Sequence, residues 1–202
     1  MDIIRKIKLS IKWIGTKLNL IEGKLYLSSS GNLVSGKKNY YFKGKLFVRD
    51  SGKVIFGNYC DIGHNLRLIT TTHNSNIPMI QTRLYWDYFN GEYPDPNKEK
   101  RSIKIGSDVW FGDNVTILPE VEVGDGSIIG AGSVVSGNVP PYSIVIGIPA
   151  KVIKYRFNKE VREFLLNLKW WNWDENKIRR NKKFFKSNLN SHSVNEIKKM
   201  IK

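Results

Sequence analysis

The sequence predicts a mainly β fold, a parallel β-helix that carries one protruding loop and ends in an α-helical tail. Three observations predict it: apolar residues recurring every six positions, one long interruption of that period at residues 74–102, and helical spacing after Lys154. A helix needs a period of 3.6 and a flat strand a period of 2. A period of six therefore means short strands, each followed by a turn at the same place.

The clearest stretch runs IGSDVW FGDNVT ILPEVE VGDGSI IGAGSV VSGNVP, from Ile105 to Pro140. Ile105, Phe111, Ile117, Val123, Ile129 and Val135 open the six hexads. Val109, Val115, Val121, Ser127, Ser133 and Val139 fill the fifth positions and are all small or β-branched. Three hexads make one triangular coil, with opener and fifth residue both facing inward, and stacking the coils buries an apolar column per face. The period continues upstream as FGNYCD and IGHNLR, with Phe42, Val48 and Val54 leading at six-residue steps to Cys60 and Leu66. Cys60 thus falls in an inward column, where a thiol is an inert hydrophobe. As the only cysteine it also rules out an internal disulfide.

Between the two blocks the repeat stops. Residues 74–102 hold Pro78, Pro94, Pro96 and Gly91 with Tyr85, Trp86, Tyr88, Phe89 and Tyr93. A loop of this length without its own repeat is expected to work as a lid or binding surface, and its aromatic faces suit sugar rings. His73 stands at its threshold, in LITTTHNSN.

The ends differ from the middle. Residues 1–41 are read as an N-terminal cap, residues 42–154 as the coil, and residues 155–202 as a helical tail. In the tail, Val161, Phe164, Leu165 and Leu168 lie at helical spacing, Trp170, Trp171 and Trp173 are expected to pack against it, and Ser193 with Glu196 forms a capping box. Ile4, Ile7, Ile11, Ile14 and Leu18 make one stripe of a basic amphipathic helix. Such a helix suits either a membrane surface or the exposed end coil.

Net charge is +15 and uneven: Lys/Arg against Asp/Glu number 12 to 3 over residues 1–53, 6 to 10 over 54–150, and 15 to 5 over 151–202. Basic ends attract polyanions of several kinds without choosing among them. The longest apolar runs fall far below the roughly 20 residues of a membrane span. The expected location is cytoplasmic, at the inner membrane face if the N-terminal helix lies on lipid.

The stretch from Ile105 through GIPAKVIKYRF resembles the hexapeptide-repeat acyltransferases. The continuation LLNLKWWNW looks like their xenobiotic acetyltransferase branch, which includes sugar and polysaccharide O-acetyltransferases. The resemblance covers about residues 46–173 and implies a left-handed parallel β-helix, a homotrimer, and acetyl-coenzyme A as cosubstrate in the groove between subunits. In this family the catalytic histidine ends the coil before the loop, and TTTHN matches it, so His73 receives the role of general base. An imidazole titrating near neutrality can take the proton of an attacking hydroxyl and return it to the leaving thiolate.

The same resemblance assigns cofactor positions. Ala131 and Gly132 match the small residues along the pantetheine arm, Ser136 the usual threonine, Lys151 and Lys154 the basic positions near the phosphates, and Trp110 the aromatic at the acetyl end. One departure stands out: the family's TKD is SGN here, so Gly137 replaces a lysine.

The reading is therefore an O-acetyltransferase acting on a carbohydrate hydroxyl, a cell-surface polysaccharide or its precursor, with Tyr85, Trp86 and Tyr88 contacting the acceptor. Neither a metal nor a nucleic-acid partner is implied, although an acidic polymer would suit the basic ends. Three alternatives stay open within or beside it: an N-acetyltransferase of a nucleotide-linked amino sugar, a chloramphenicol- or streptogramin-type antibiotic O-acetyltransferase, and a non-catalytic β-helix binding protein. Metal-dependent hydration of carbon dioxide on this fold takes three histidines. His192, the third after His64 and His73, lies in a polar tail segment.

Overall fold

The computed structural model describes residues 23–27, 32–34, 41–42 and 44–49 by their backbone, and residues 53–70, 76, 78, 87–90 and 102–202 with their side chains. Strands β1 to β13 are Gly23–Leu27, Asn32–Val34, Tyr41–Phe42, Gly44–Arg49, Lys53–Phe56, Asp61–Ile62, Leu66–Ile69, Ser102–Ile105, Trp110–Phe111, Thr116–Ile117, Glu122–Val123, Ile128–Ile129 and Val134–Val135. They are dealt in strict rotation to three parallel sheets: β1-β4-β7-β10-β13 in the first, β2-β5-β8-β11 in the second, β3-β6-β9-β12 in the third. This rotation is a three-sided coil, and it follows from the period of six, because every third strand returns to the same side.

The described strands reach back to Gly23, inside the segment read from sequence as a cap: β1 pairs in register with β4, Leu25 opposite Leu46, and β2 with β5, Leu33 opposite Val54. The amphipathic stretch from Ile4 to Leu18 lies outside the described residues.

Register across the interruption is intact. One full coil separates Ile105 from its partner Val123, 18 residues on, whereas Val54 pairs with Ile103, 49 residues on. The coil therefore absorbs 31 extra residues at the corner between the first and second sheets without shifting a single pair.

Opener and fifth-position residues fill the interior as their periodicity requires: Phe111, Ile117, Ile129 and Val115 are fully buried and Val135, Val109 and Val121 nearly so. Each such side chain contributes roughly 1.5–3 kcal/mol by leaving water. Cys60 is buried among them, donating to the Gly106 carbonyl at 3.3 Å, and burial pushes its thiol up to about 12.

The turns also repeat. The corner from second to third sheet holds Tyr59, Asp108, Gly126 and Tyr142 at φ of 58°, 57°, 71° and 57°, and the corner from third to first sheet holds Asn65, Asn114 and Gly132 at 59°, 59° and 70°. Such left-handed positions turn the chain sharply and favour glycine, asparagine and aspartate. Gly126 is doubly constrained, since a Cβ there would lie 2.3 Å from the Tyr142 ring.

After Val139 the chain adds β14 (Ser143–Gly147) to the third sheet and folds back as β15 (Ala150–Tyr155), the only antiparallel pair among the described strands. Helices α1 (Lys159–Leu168), α2 (Glu175–Arg180), α3 (Lys182–Lys186) and α4 (Val194–Met200) follow. The predicted face of α1 buries Val161 and Leu165, its start is capped by Asn158, and the capping box of Ser193 and Glu196 forms at α4. Asn181, fully buried between α2 and α3, donates to the carbonyls of Lys177 and Lys202 and so ties the end of the tail to its middle.

The tail docks on the corner between second and third sheets through its left-handed positions. Tyr59 packs on Trp170 at 5.2 Å, Tyr142 on Phe157 at 5.6 Å, and Arg156 donates to Asp108 Oδ2 at 2.9 Å and to the Gly126 carbonyl at 2.6 Å. Trp171 and Trp173 are buried in the tail's own core, the packing role expected of them.

Candidate functional site

Among the described residues, the predicted cofactor positions fall on either side of the first sheet, most of them on the third-sheet side and Ser136 at the corner toward the second. On the third sheet, pairing sets Asp61, Trp110, Ile128, Ile144 and Lys154 in one row on the outer face, because their successors Ile62, Phe111, Ile129 and Val145 point inward. Trp110 is 50% exposed there, an indole laid on a strand with nothing covering half of it. Lys151 and Lys154 are exposed on β15, opposite Ile146 and Ile144.

Ala131 and Gly132 form the adjoining corner, and both are exposed. The coils approach closely here: a Cβ on Gly112 would lie 2.6 Å from the Ala131 nitrogen. On the solvent side there is room, for a Cβ on Gly132 would meet nothing within 4 Å. Small side chains thus leave backbone bare for a slender ligand to lie on.

Ser136 is exposed on the opposite edge of the first sheet, at the corner where the long insertion also leaves, and Gly137 and Asn138 follow it. Within one chain the structure therefore separates Ser136 from Trp110, Ala131, Gly132, Lys151 and Lys154. Thr70, the last described residue before the insertion, is fully buried, and His73, Tyr85 and Trp86 lie outside the described residues. Tyr88 is exposed in a helical turn with Phe89, their rings 6.4 Å apart.

Two polar pairs went unforeseen. His64 is solvent-facing as its hexad position predicts, yet it is not free: Asp113 Oδ1 accepts its backbone N–H at 2.7 Å and lies 3.2 Å from its Nδ1. These bonds hold the Asp113 carboxyl below the usual carboxylate range. The other pair joins Asp108 to Arg156, where burial raises the Asp108 carboxyl although the guanidinium opposes it. His64 and Asp113 both occupy the third place of a third-sheet hexad, a signal hidden by the insertion between them.

A groove of about 450 Å³ lies on the second sheet, lined by Lys104, Glu122, Asp125, Asn138 and Pro141, and none of the predicted site residues lines it. Lys104 and Glu122 pair across its floor. Among the described residues no three His, Cys, Asp or Glu side chains gather as a metal site, and no helix is long and apolar enough to cross a membrane.

Residues 102–137 match the family described as bacterial transferase hexapeptide (six repeats). The chain is 44% identical over 137 residues to a protein of Lysinibacillus sphaericus named a probable macrolide acetyltransferase, a match covering 65% of this chain and 75% of that one. It is 34% identical over 135 residues to a chloramphenicol acetyltransferase of Morganella morganii, covering 64% of each, so it spans less than two thirds of that relative. Among solved structures it is similar to a hexapeptide-repeat acetyltransferase of Vibrio cholerae complexed with acetyl-coenzyme A, with a TM-score of 0.49 and 22% identity over 67% of this chain and 66% of that one.

Proposed function

Because the chain belongs to the hexapeptide-repeat acetyltransferases, in their xenobiotic acetyltransferase-like branch, we propose that it moves an acetyl group from acetyl-coenzyme A to a hydroxyl, on a carbohydrate such as a cell-surface polysaccharide or its precursor. The observation that carries this reading is the bare corner at Ala131 and Gly132, bounded by exposed Trp110 and by Lys151 and Lys154. A slender pantetheine arm fits against backbone without side chains, ammonium groups suit phosphates, and an exposed indole offers an apolar face to an acetyl group.

In this reading the coil is left-handed and three copies assemble with the site between them. The separation of Ser136 from the other cofactor positions supports that assembly, since a neighbour's first-sheet edge can face the Trp110 row. Acetyl-coenzyme A supplies an activated thioester. His73, at the start of the insertion in sequence, takes the proton of the attacking hydroxyl and hands it to the departing thiolate, so that no charge is left on either oxygen or sulfur. Tyr85, Trp86 and Tyr88 hold the acceptor against their rings. We place the enzyme on the cytoplasmic side, where the basic N-terminal segment can meet anionic lipid.

A second reading, acetylation of an antibiotic hydroxyl, is favoured by the likeness to the macrolide and chloramphenicol acetyltransferases. Thiol release from acetyl-coenzyme A, with maltose, polysialic acid, chloramphenicol and a macrolide as acceptors, separates the two. His73→Ala should lower the rate with the active acceptor by roughly 10²–10⁴. An unchanged rate would remove His73 from the reaction.

A further inference from the structure

The third-sheet corner carries a polar pair that neither the repeat nor the tail requires. At the corner between second and third sheets, third-position side chains make a ladder: Ser107 Oγ accepts the Asn58 N–H at 3.0 Å, and Asp125 Oδ1 accepts the Ser107 N–H at 2.6 Å. Asp113 does the same for His64 at the next corner, accepting its backbone N–H. The ladder accounts for the Asp113 carboxylate. It does not account for the imidazole, because the rung is complete without it.

The ring is nevertheless oriented. Nδ1 faces the Asp113 carboxylate at 3.2 Å, so Nδ1 carries the proton in the neutral imidazole and Nε2 presents a lone pair. The side chain is 48% exposed, and no described residue engages Nε2. An oriented, outward-facing hydrogen-bond acceptor results.

Its place matters. Ala131, Asp113 and His64 occupy the same hexad position on three successive coils, each stacked about 4.8 Å from the next. Lys151 and Lys154 stand beyond Ala131 at the other end of the column. Trp110 is in the coil of Asp113, three residues before it, within about 10 Å of chain. An arm whose phosphates sit at the lysines and which runs over Ala131 and Gly132 reaches Asp113 and then His64 with its far end.

We propose that His64, held by Asp113, binds the thiol end of coenzyme A, its Nε2 accepting a hydrogen bond from the S–H once the acetyl group has left. The inference rests on the acetyl-coenzyme A reading of the corner. It adds a contact at the end of the arm opposite the phosphates, in the coils where acetyl transfer takes place.

The test uses the full chain and two probes, coenzyme A and 3′,5′-ADP, which lacks the arm. Calorimetry measures the binding of each, and long-range proton–nitrogen imidazole spectra report His64, assigned by the signals that vanish in His64→Asn. Coenzyme A is expected to move the His64 Nε2 resonance while 3′,5′-ADP leaves it in place. His64→Asn should weaken coenzyme A about three- to tenfold, the worth of one hydrogen bond, with 3′,5′-ADP unaffected. Coenzyme A that binds without moving the resonance, or 3′,5′-ADP that moves it equally, overturns the proposal and leaves the acetyltransferase reading standing. If coenzyme A does not bind at all, both fall.

Discussion

In the coil almost every buried side chain has a counterpart one turn away, Phe111 above Ile62 and below Ile129; in the tail no two buried residues are equivalent. The coil core is aliphatic, mostly β-branched, apart from Phe56, Phe111 and Cys60, whereas the tail core is built on Tyr142, Trp171, Trp173 and Phe184. Stacked strands offer each side chain the same slot, which branched aliphatics fill well. Short helices meeting at uneven angles leave irregular gaps, and large flat rings fill those with few residues. The coil is thus stabilised by repetition and the tail by a handful of anchors, so damage should spread differently in each.

Phe111→Ala makes the hardest test of the coil. Removing this fully buried ring should cost about 3–5 kcal/mol, and urea unfolding should show coil and tail lost together, because among the described residues the tail docks on the coil's corner. Trp171→Ala should cost about 3 kcal/mol yet release the tail alone. Limited proteolysis would then cut beyond Arg156 while the coil's circular dichroism persists, and loss of both signals would break the distinction between the two regions.

The junction should respond less. Arg156→Met leaves Asp108 partly buried without its cation, at a cost of about 1–3 kcal/mol, and a second change, Asp108→Asn, should restore much of the loss. The pH dependence has a definite sign. Burial raises the Asp108 carboxyl, so ionisation is less favoured in the folded chain than in the unfolded one. Its contribution is therefore greatest below about pH 4, where both states hold the proton, and falls as pH climbs through the raised folded value. Asp108→Asn should flatten that fall in unfolding free energy against pH. Least perturbing of all, Cys60 reports on the coil unaltered: with its thiol pushed up to about 12, alkylation at pH 8 should await unfolding.

Repetition also decided how much could be read in advance. Openers and fifth positions are legible because six hexads say the same thing, and each inward residue from Ile105 to Val139 lies where the period puts it. The tail was legible where local chemistry speaks: the face of Val161 and Leu165, the packing of Trp171 and Trp173, and the cap of Ser193 and Glu196. Asn181, Asp108 with Arg156, and Asp113 with His64 join residues from 21 to 49 positions apart. No period announces the first two, and for the last the shared hexad position is hidden because the sequence does not show that the coils stay in register across the insertion. Ser136 shows the limit for the site, since motif likeness assigns it and Ala131 to the same cofactor without saying that, within one chain, the first sheet stands between them.

The 31 additional residues enter and leave at one corner, and Val54 still meets Ile103 as though nothing had intervened. A corner that tolerates this is a port. A segment of different length can be spliced there while the sheet pairings on either side keep their register. Exchanging the insertion for that of a relative, ends matched at Thr70 and Ser102 and His73 kept in place, should therefore change acceptor preference on the same paired coils.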